Sequence, residues 1–247
     1  AFTQMANYEP LVIDSAIGCL LTDIQGNTYI DAVSSLWCNV HGHQHPVINA
    51  AIRKQLDQVA HVTSLGMSNP TTIQLAKRLV DISPDGLNHL FFSGDGSSSV
   101  EVAMKMAFQY WQQKGGPQPN KTKYIALGNA YHGDTLGSVS VGGVQRFHEM
   151  FKPLLFDVLR IDSPDTYRLP ANLSQPQDAT QYYLSQLESL LQQHHSTIAA
   201  MIIEPVVQGA AGMIMQPAGY LVGVRQLTKK YNVLLIADEV AVGFGRT

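Results

Sequence analysis

Four apolar runs from residue 89 onward are each followed by polar residues of the kinds that bind anions or exchange protons. GDGSSS (residues 94–99) follows HLFFS, and GNAYHGD (residues 128–134) follows KYIAL. The runs IAAMII and NVLLIA end at Glu204 and at Asp238. Because open α/β sheets bind their ligands beyond the carboxyl ends of the strands, we expect these groups to share one edge of a sheet.

The turn at residues 94–99 is suited to a phosphate group. Glycine lets the backbone approach a ligand closely, and the N–H groups at the start of a helix favour an anion. Glycine and serine also make ordinary turns and helix caps, so the turn alone does not establish a phosphate site. The dinucleotide fingerprint is nearly matched, but Ser99 replaces its third glycine and the next strand ends in Gly128–Asn129, without an acidic residue for a ribose. An NAD-dependent oxidoreductase is therefore disfavoured.

Asp238 ends a run that is apolar enough to be buried, and a buried carboxylate is costly unless it is paired. We therefore expect a cationic or protonated partner. The pyridinium nitrogen of pyridoxal phosphate (PLP) would satisfy this carboxylate, which would keep the ring protonated and electron-withdrawing. The turn at 94–99, Tyr131 as a ring-stacking aromatic and Asp238 would then form one cofactor site. The simpler alternatives are a turn cap for Asp238 and a half-buried core position for Tyr131.

The histidines of HGHQHP, residues 41–46, raise the question of a metal site. His41, His43 and His45 alternate, and three imidazoles can hold zinc. Pro46 is suited to open a helix at this point, however, and no carboxylate lies close in the sequence. We expect a polar turn and no metal.

The composition argues against several classes of partner. The chain has 16 Lys or Arg and 19 Asp or Glu among 247 residues, so its net charge is −3, with no basic stripe for nucleic acid or an anionic membrane. No apolar stretch reaches the length of about 18 residues that a membrane helix needs. The two cysteines, Cys19 and Cys38, favour a cytoplasmic protein with free thiols in its core.

Strand and helix patterns alternate from residue 89 onward, beginning with the strand-like HLFFS. The alternation predicts an α/β fold with a mostly parallel sheet and helices on both faces. Before it, the sequence predicts two strands around a QGN turn and two helices opened by Pro46 and Pro70, the second capped by Asn69. We expect an N-terminal segment at residues 1–45 and a cofactor-binding domain at residues 46–247.

The chain resembles the class III, fold-type I PLP-dependent aminotransferases. The matching stretches span the chain in the family's order: FTQM, SSLWCNVHGHQHP, GDGSSSVEVAMKMAFQYW, NAYHGDT, IIEPVVQGAAGM and IADEVAVGFGRT. The resemblance implies the large PLP-binding domain, incomplete at its C-terminus, and an N-terminal segment of the small domain. It also implies a homodimer with sites built from both chains. The implied reaction moves an amino group from S-adenosylmethionine or lysine onto a long-chain amino-keto acid.

The resemblance assigns a role to each residue at a matching position. Gly96 and Ser97 correspond to the phosphate-binding pair, and Asp238 to the pyridinium partner. Tyr131 corresponds to the aromatic that stacks on the ring and lines the substrate pocket. The remaining assignments are Glu204 in support of the cofactor site, Val240 on the other face of the ring, and Phe2, Leu36, Trp37 and Asp134 at the substrate pocket.

The sequence also departs from the family pattern. Phe2 and Leu36 replace a Tyr and a Trp that many members have, which leaves the amino donor open and favours lysine weakly. The family's Schiff-base lysine lies beyond GFGRT, and we expect neither Lys229 nor Lys230 to replace it. We therefore expect these residues to be the front part of a longer enzyme. The alternatives are another class III ω-aminotransferase and a catalytically incomplete fragment.

Overall fold

The computed structural model describes residues 7–171, 173, 175 and 178–247, so Phe2 lies outside the described residues. Two compact units divide the chain, with the boundary between Leu90 and Phe91. We call them the first and the second unit. The boundary expected at residue 45 concerns the domains of a complete enzyme and stays a prediction.

A three-stranded antiparallel sheet opens the first unit. Its order is β1 (Ile13–Ile17), β2 (Leu20–Asp23) and β3 (Thr28–Ile30). Asp23 holds the turn between β2 and β3, because its carboxylate accepts hydrogen bonds from the backbone N–H groups of Gln25 and Asn27. The sequence predicted the two strands around this turn and missed β1.

Two helices complete the regular structure described in the first unit, α1 (Pro46–Gln58) and α2 (Pro70–Ile82). Each begins with its proline, whose fixed φ suits the first helical position and whose missing N–H costs nothing there. Asn69 caps α2 by accepting a hydrogen bond of 2.9 Å from the backbone N–H of Thr72. These predictions are confirmed.

A parallel sheet forms the centre of the second unit. Its spatial order is β5 (Leu159–Ile161), β4 (Lys123–Leu127), β6 (Ile198–Ile203) and β9 (Leu234–Ala237), and a separate antiparallel pair joins β7 (Val207–Gln208) to β8 (Ile214–Met215). Its helices are α3 (Gly96–Gln113), α4 (Leu136–Val141), α5 (Gln145–His148), α6 (Ala179–His194) and α7 (Tyr220–Lys230), and a 3₁₀ helix spans Glu149–Leu154. This confirms the predicted α/β class.

Both faces of this sheet are covered, and the central strand β6 is buried along its whole length. Met201 and Ile203 pack with residues of α6 and α7 such as Leu187, while the alternate residue Ile202 packs with Trp111 of α3. This two-sided burial explains why the strands have continuous apolar sequences. The Trp111 indole N–H also donates to the Ala199 carbonyl at 2.8 Å, which fixes α3 against the sheet.

Two expectations were wrong. HLFFS, residues 89–93, forms no strand: it pairs with no other strand of the described chain, and Phe91 is 63% exposed. Apolar character alone does not supply the neighbouring strand that a β-strand requires. Cys19 and Cys38 are free as expected, but both are exposed and so lie outside the core.

Candidate active site

Asp238 lies at the carboxyl end of β9 and is paired with a buried histidine. Its Oδ2 is 2.7 Å from Nδ1 of His132, with 7% of the Asp238 side chain and none of the His132 side chain exposed. The other oxygen, Oδ1, accepts a hydrogen bond from the Val240 N–H at 3.1 Å. The sequence analysis predicted a cationic or protonated partner for this carboxylate but did not identify His132. A histidine side chain can donate a hydrogen bond to a carboxylate as a neutral imidazole or as a cation. The second ring nitrogen of His132, Nε2, is buried with no partner among the described residues.

Glu204 follows the neighbouring strand β6 and links it to the loop after β4. One carboxylate oxygen accepts a hydrogen bond from the Tyr131 N–H at 3.0 Å, and the other accepts one from the Gly209 N–H at 2.9 Å. Burial raises the pKa of Glu204, and these two N–H groups only partly oppose that rise. The carboxylate therefore holds the backbone on which Tyr131 stands.

Tyr131 is half-buried and fixed at both ends. Its hydroxyl donates to Oδ2 of Asp134 at 2.9 Å. Burial, followed by the contact with Asp134, raises the pKa of Tyr131 to about 12, so the phenol is neutral at physiological pH. The ring lies nearly parallel to that of His148, with centroids 6.5 Å apart, and edge-on to Phe147 at 6.0 Å. Its orientation is set by neighbours on three sides.

The N-terminus of α3 carries the predicted phosphate-binding residues. Asp95 caps the helix by accepting a hydrogen bond of 2.8 Å from the Ser98 N–H, while Gly96 and Ser97 form the first turn. The Ser97 hydroxyl accepts a hydrogen bond from the Asp134 N–H at 3.1 Å, which joins this turn to the loop after β4. Gly133, in that loop, has φ +115°, and a side chain there would collide with Ser97.

Val240 lies directly against the start of α3. A Cβ placed on Gly96 would be 3.0 Å from Cγ2 of Val240, so glycine permits this close approach. Glu101 of α3, which no sequence pattern indicated, holds the start of α4. Its Oε1 accepts hydrogen bonds from the Thr135 hydroxyl at 2.6 Å and from the Gly137 N–H at 2.8 Å. Glu101 carries no motif of its own, and only the fold reveals its partners.

The predicted site residues of the second unit therefore come together at the carboxyl edge of the sheet. Direct contacts link Gly96 to Val240, Ser97 to Asp134, and Tyr131 to Glu204. Asp238 joins the same loop through His132. The edge thus presents a helix N-terminus, an aromatic ring and a paired carboxylate, although the helix N-terminus does not follow a strand as the pattern predicted.

Leu36 and Trp37 belong to the first unit, where they form part of a left-handed turn, Ser34–Trp37. Such a conformation costs about 1–2 kcal/mol per non-glycine residue.

The histidines of HGHQHP lie nearby in the sequence, and Nε2 of His43 is 2.9 Å from Oδ2 of Asp31. Within the described residues, no group of three His, Cys, Asp or Glu side chains is arranged to hold a metal ion. No described helix is long and apolar enough to cross a membrane.

Comparison with known proteins gives consistent matches along the chain. A family model described as aminotransferase class-III matches residues 3–247. Adenosylmethionine-8-amino-7-oxononanoate aminotransferase of Nitratidesulfovibrio vulgaris is 50% identical over 100% of this chain and 46% of its own length. The crystal structure of the enzyme of that name from Methanocaldococcus jannaschii has a TM-score of 0.89 and 41% identity, covering 100% of this chain and 53% of its own.

A second solved structure is an amine transaminase from an uncultivated Pseudomonas species in the PLP-bound form. It has a TM-score of 0.88 and 39% identity, covering 98% of this chain and 54% of its own. The chain thus spans about half the length of the relatives it matches.

Proposed function

The chain belongs to the aminotransferase class-III family, and we propose that the whole protein is a PLP-dependent aminotransferase of biotin biosynthesis. It would convert 8-amino-7-oxononanoate to 7,8-diaminononanoate. The observation that carries the chemistry is the buried, histidine-paired carboxylate of Asp238 at the end of β9. The choice of substrate rests on relatives such as the Nitratidesulfovibrio vulgaris enzyme, whose name gives adenosylmethionine and 8-amino-7-oxononanoate as its substrates.

The residues of the second unit fit PLP. The N-terminus of α3 favours an anion such as a phosphate, the Ser97 hydroxyl could donate a hydrogen bond to it, and Gly96 lets Val240 approach this end of the helix closely. Asp238 offers a carboxylate to a pyridinium nitrogen, and Tyr131 offers an aromatic face. Bound there, PLP would supply a protonated ring that withdraws electrons from the substrate carbon during amino transfer.

Each residue of the chain has a defined task in this proposal. Asp238 would keep a proton on the ring nitrogen of bound PLP, and His132 keeps the carboxylate oriented through the 2.7 Å hydrogen bond. Tyr131 would supply an aromatic face to the ring, and Val240 would supply an aliphatic contact. Glu204 fixes the Tyr131 backbone, so the stacking residue keeps its place. Tyr131 and Asp134 would contact the substrate. On the strength of the family resemblance alone, we propose that Phe2, Leu36 and Trp37 also lie at a substrate pocket.

We propose that the lysine that holds the cofactor covalently lies outside residues 1–247. Lys230 is engaged elsewhere, because its Nζ is 2.6 Å from Oε1 of Glu188. Lys121 donates three hydrogen bonds to backbone carbonyls, including that of Ile198 at 3.0 Å, and its side chain is buried. These contacts tie both lysines to structural partners. We further propose a cytoplasmic homodimer, on the strength of the family resemblance.

The test is an activity assay of the complete protein with 8-amino-7-oxononanoate as acceptor. S-adenosylmethionine and lysine are supplied separately as amino donors, and 7,8-diaminononanoate is measured by mass spectrometry. Product formed with one donor supports the proposal and identifies that donor. The second candidate is a broader ω-aminotransferase, favoured by the likeness to the Pseudomonas amine transaminase. Turnover of simple amines, with none of the amino-keto acid, would replace the first proposal with this one.

A further inference from the structure

The turn Ser34–Trp37 has an unusual backbone. Its four residues have φ values of 51°, 49°, 61° and 70°, and none of them is glycine. The other non-glycine residues with positive φ in the described chain occur singly. Two α-type hydrogen bonds close the turn, from the Trp37 N–H to the Val33 carbonyl at 2.8 Å and from the Cys38 N–H to the Ser34 carbonyl at 2.9 Å. L-residues avoid this conformation, so contacts outside the turn must hold it.

Asp31 supplies those contacts. Its Oδ1 accepts a hydrogen bond from the Ser35 N–H at 2.8 Å, and its Oδ2 accepts one from the Ser35 hydroxyl at the same distance. Oδ2 also receives the Nε2 hydrogen bond of His43 at 2.9 Å. Only 5% of the Asp31 side chain and 18% of the His43 side chain are exposed. The Asp31 carboxylate is therefore hydrogen-bonded both to Ser35, in the middle of the left-handed turn, and to the imidazole of His43.

Both partners are anchored to the bend between β1 and β2. The Asp31 N–H donates to the Cys19 carbonyl at 2.8 Å. His43 and Gly18 exchange two backbone hydrogen bonds, of 3.0 Å and 2.8 Å. Gly42 allows this approach, because a Cβ there would be 2.9 Å from the Gly18 carbonyl oxygen. The Asp31–His43 pair is thus hydrogen-bonded to the bend of the first sheet, whereas the turn that Asp31 holds carries Leu36 and Trp37.

We propose that Asp31 and His43 are positioning residues that set how Leu36 and Trp37 are presented to the amino-keto acid. The inference rests on the proposed function, which places Leu36 and Trp37 at the substrate pocket. Neither Asp31 nor His43 touches the substrate in this account. Asp31 and His43 act by stabilising the left-handed backbone of Ser34–Trp37, a conformation that these residues would not adopt without them.

The test compares variants of the complete protein. Asp31→Asn weakens the grip on Ser35, and His43→Ala removes the imidazole. His43→Gln is the conservative variant, because its amide N–H can replace Nε2–H. Asp23→Asn is the matched control, since Asp23 also holds a turn of the first unit through backbone N–H groups, but its hydrogen bonds go to Gln25, Asn27 and Tyr29.

Two quantities are measured for each variant. Hydrogen–deuterium exchange of peptides covering residues 31–40 reports the turn directly and needs no cofactor. Steady-state kinetics report the KM for the amino-keto acid and kcat. We expect faster exchange in this segment and a KM raised about tenfold, with kcat changed less than about twofold, in D31N and H43A. H43Q and D23N should keep both quantities near those of the unchanged protein.

Three results would overturn the inference. They are unchanged exchange at residues 31–40 in D31N and H43A, an unchanged KM despite faster exchange, and a D23N variant that shifts KM as much as D31N does. If D31N does not fold, the comparison of H43A with H43Q decides between the outcomes. If the protein without substitutions shows no aminotransferase activity, both the proposed function and this inference are overturned. If that protein is active and its KM does not change on substitution of Asp31 or His43, only the inference is overturned.

Discussion

The two units of this chain place their candidate functional residues by different means. In the second unit, Asp238 and Glu204 follow neighbouring parallel strands, and the topology of the sheet brings them to one edge. In the first unit, Leu36 and Trp37 lie on irregular backbone held by the side chains of Asp31 and His43. The contrast shows that a sheet edge positions residues through regular backbone pairing, whereas the turn depends on a few specific side chains.

The largest effect is expected at the sheet edge, from Asp238→Asn in the complete protein. An amide does not hold the ring nitrogen protonated, so kcat should fall by at least about 10³-fold, the scale of a lost electrostatic anchor. The matched control is Glu239→Gln, which changes the neighbouring exposed carboxylate and should leave kcat nearly unchanged. Near-normal turnover in D238N would remove Asp238 from the site.

The pairing of Asp238 gives the next test. His132→Ala leaves a buried carboxylate without its imidazole, and we expect the free energy of unfolding to fall by about 1–3 kcal/mol. Urea unfolding measures this change. His132→Asn should recover part of it, because an asparagine N–H can replace Nδ1–H. Equal stabilities for H132A and the unchanged protein would mean that the hydrogen bond contributes little.

Glu204 predicts a pH dependence at the same edge. Since its folded-state pKa is raised, chiefly by burial, the folded state binds more protons than the unfolded state above the ordinary value of 4.5. This carboxyl therefore lowers stability as pH rises from 4.5 through its raised pKa. The free energy of unfolding of the unchanged protein, taken relative to Glu204→Gln, should fall over that range. A difference that stays constant or rises with pH would contradict the assigned direction.

The smallest effect is expected in the first unit and has the opposite sign. Ser34→Gly removes the cost of positive φ at one residue of the turn, which outweighs the extra chain entropy of glycine, so stability should rise by about 0.5 kcal/mol. Ser189→Gly makes the same change inside the right-handed helix α6 and should lower stability by a similar amount. Thermal unfolding compares the two variants, and equal signs would argue against strain in the turn.

The difference between the two units also explains which site residues the sequence could place and which it could not. Asp238, Glu204 and Tyr131 follow apolar runs that form adjacent strands, so their shared edge could be inferred from the alternation of strands and helices. The identity of the Asp238 partner could not, because several polar residues were expected at that edge and only the fold shows that His132 is the one within 2.7 Å of the carboxylate. Glu101 was missed for the same reason.

The backbone conformation of SSLW in the first unit could not be predicted, because its residue types give no sign of it. SSLW contains no glycine, asparagine or aspartate, the residues that normally accompany positive φ. Its left-handed conformation comes from hydrogen bonds to Asp31, which no periodicity indicates. HLFFS shows the converse error, since an apolar run without a neighbouring strand was expected to form one.

The most direct test of the central claim is to incubate the complete protein with PLP, reduce it with borohydride and map the modified peptide by mass spectrometry. We predict one cofactor adduct on one lysine outside residues 1–247, and a marked loss of specific labelling in D238N. No specific adduct, or an adduct on a lysine within this chain such as Lys121 or Lys230, would contradict the proposal that Asp238 and Tyr131 serve a PLP site completed by the rest of the protein.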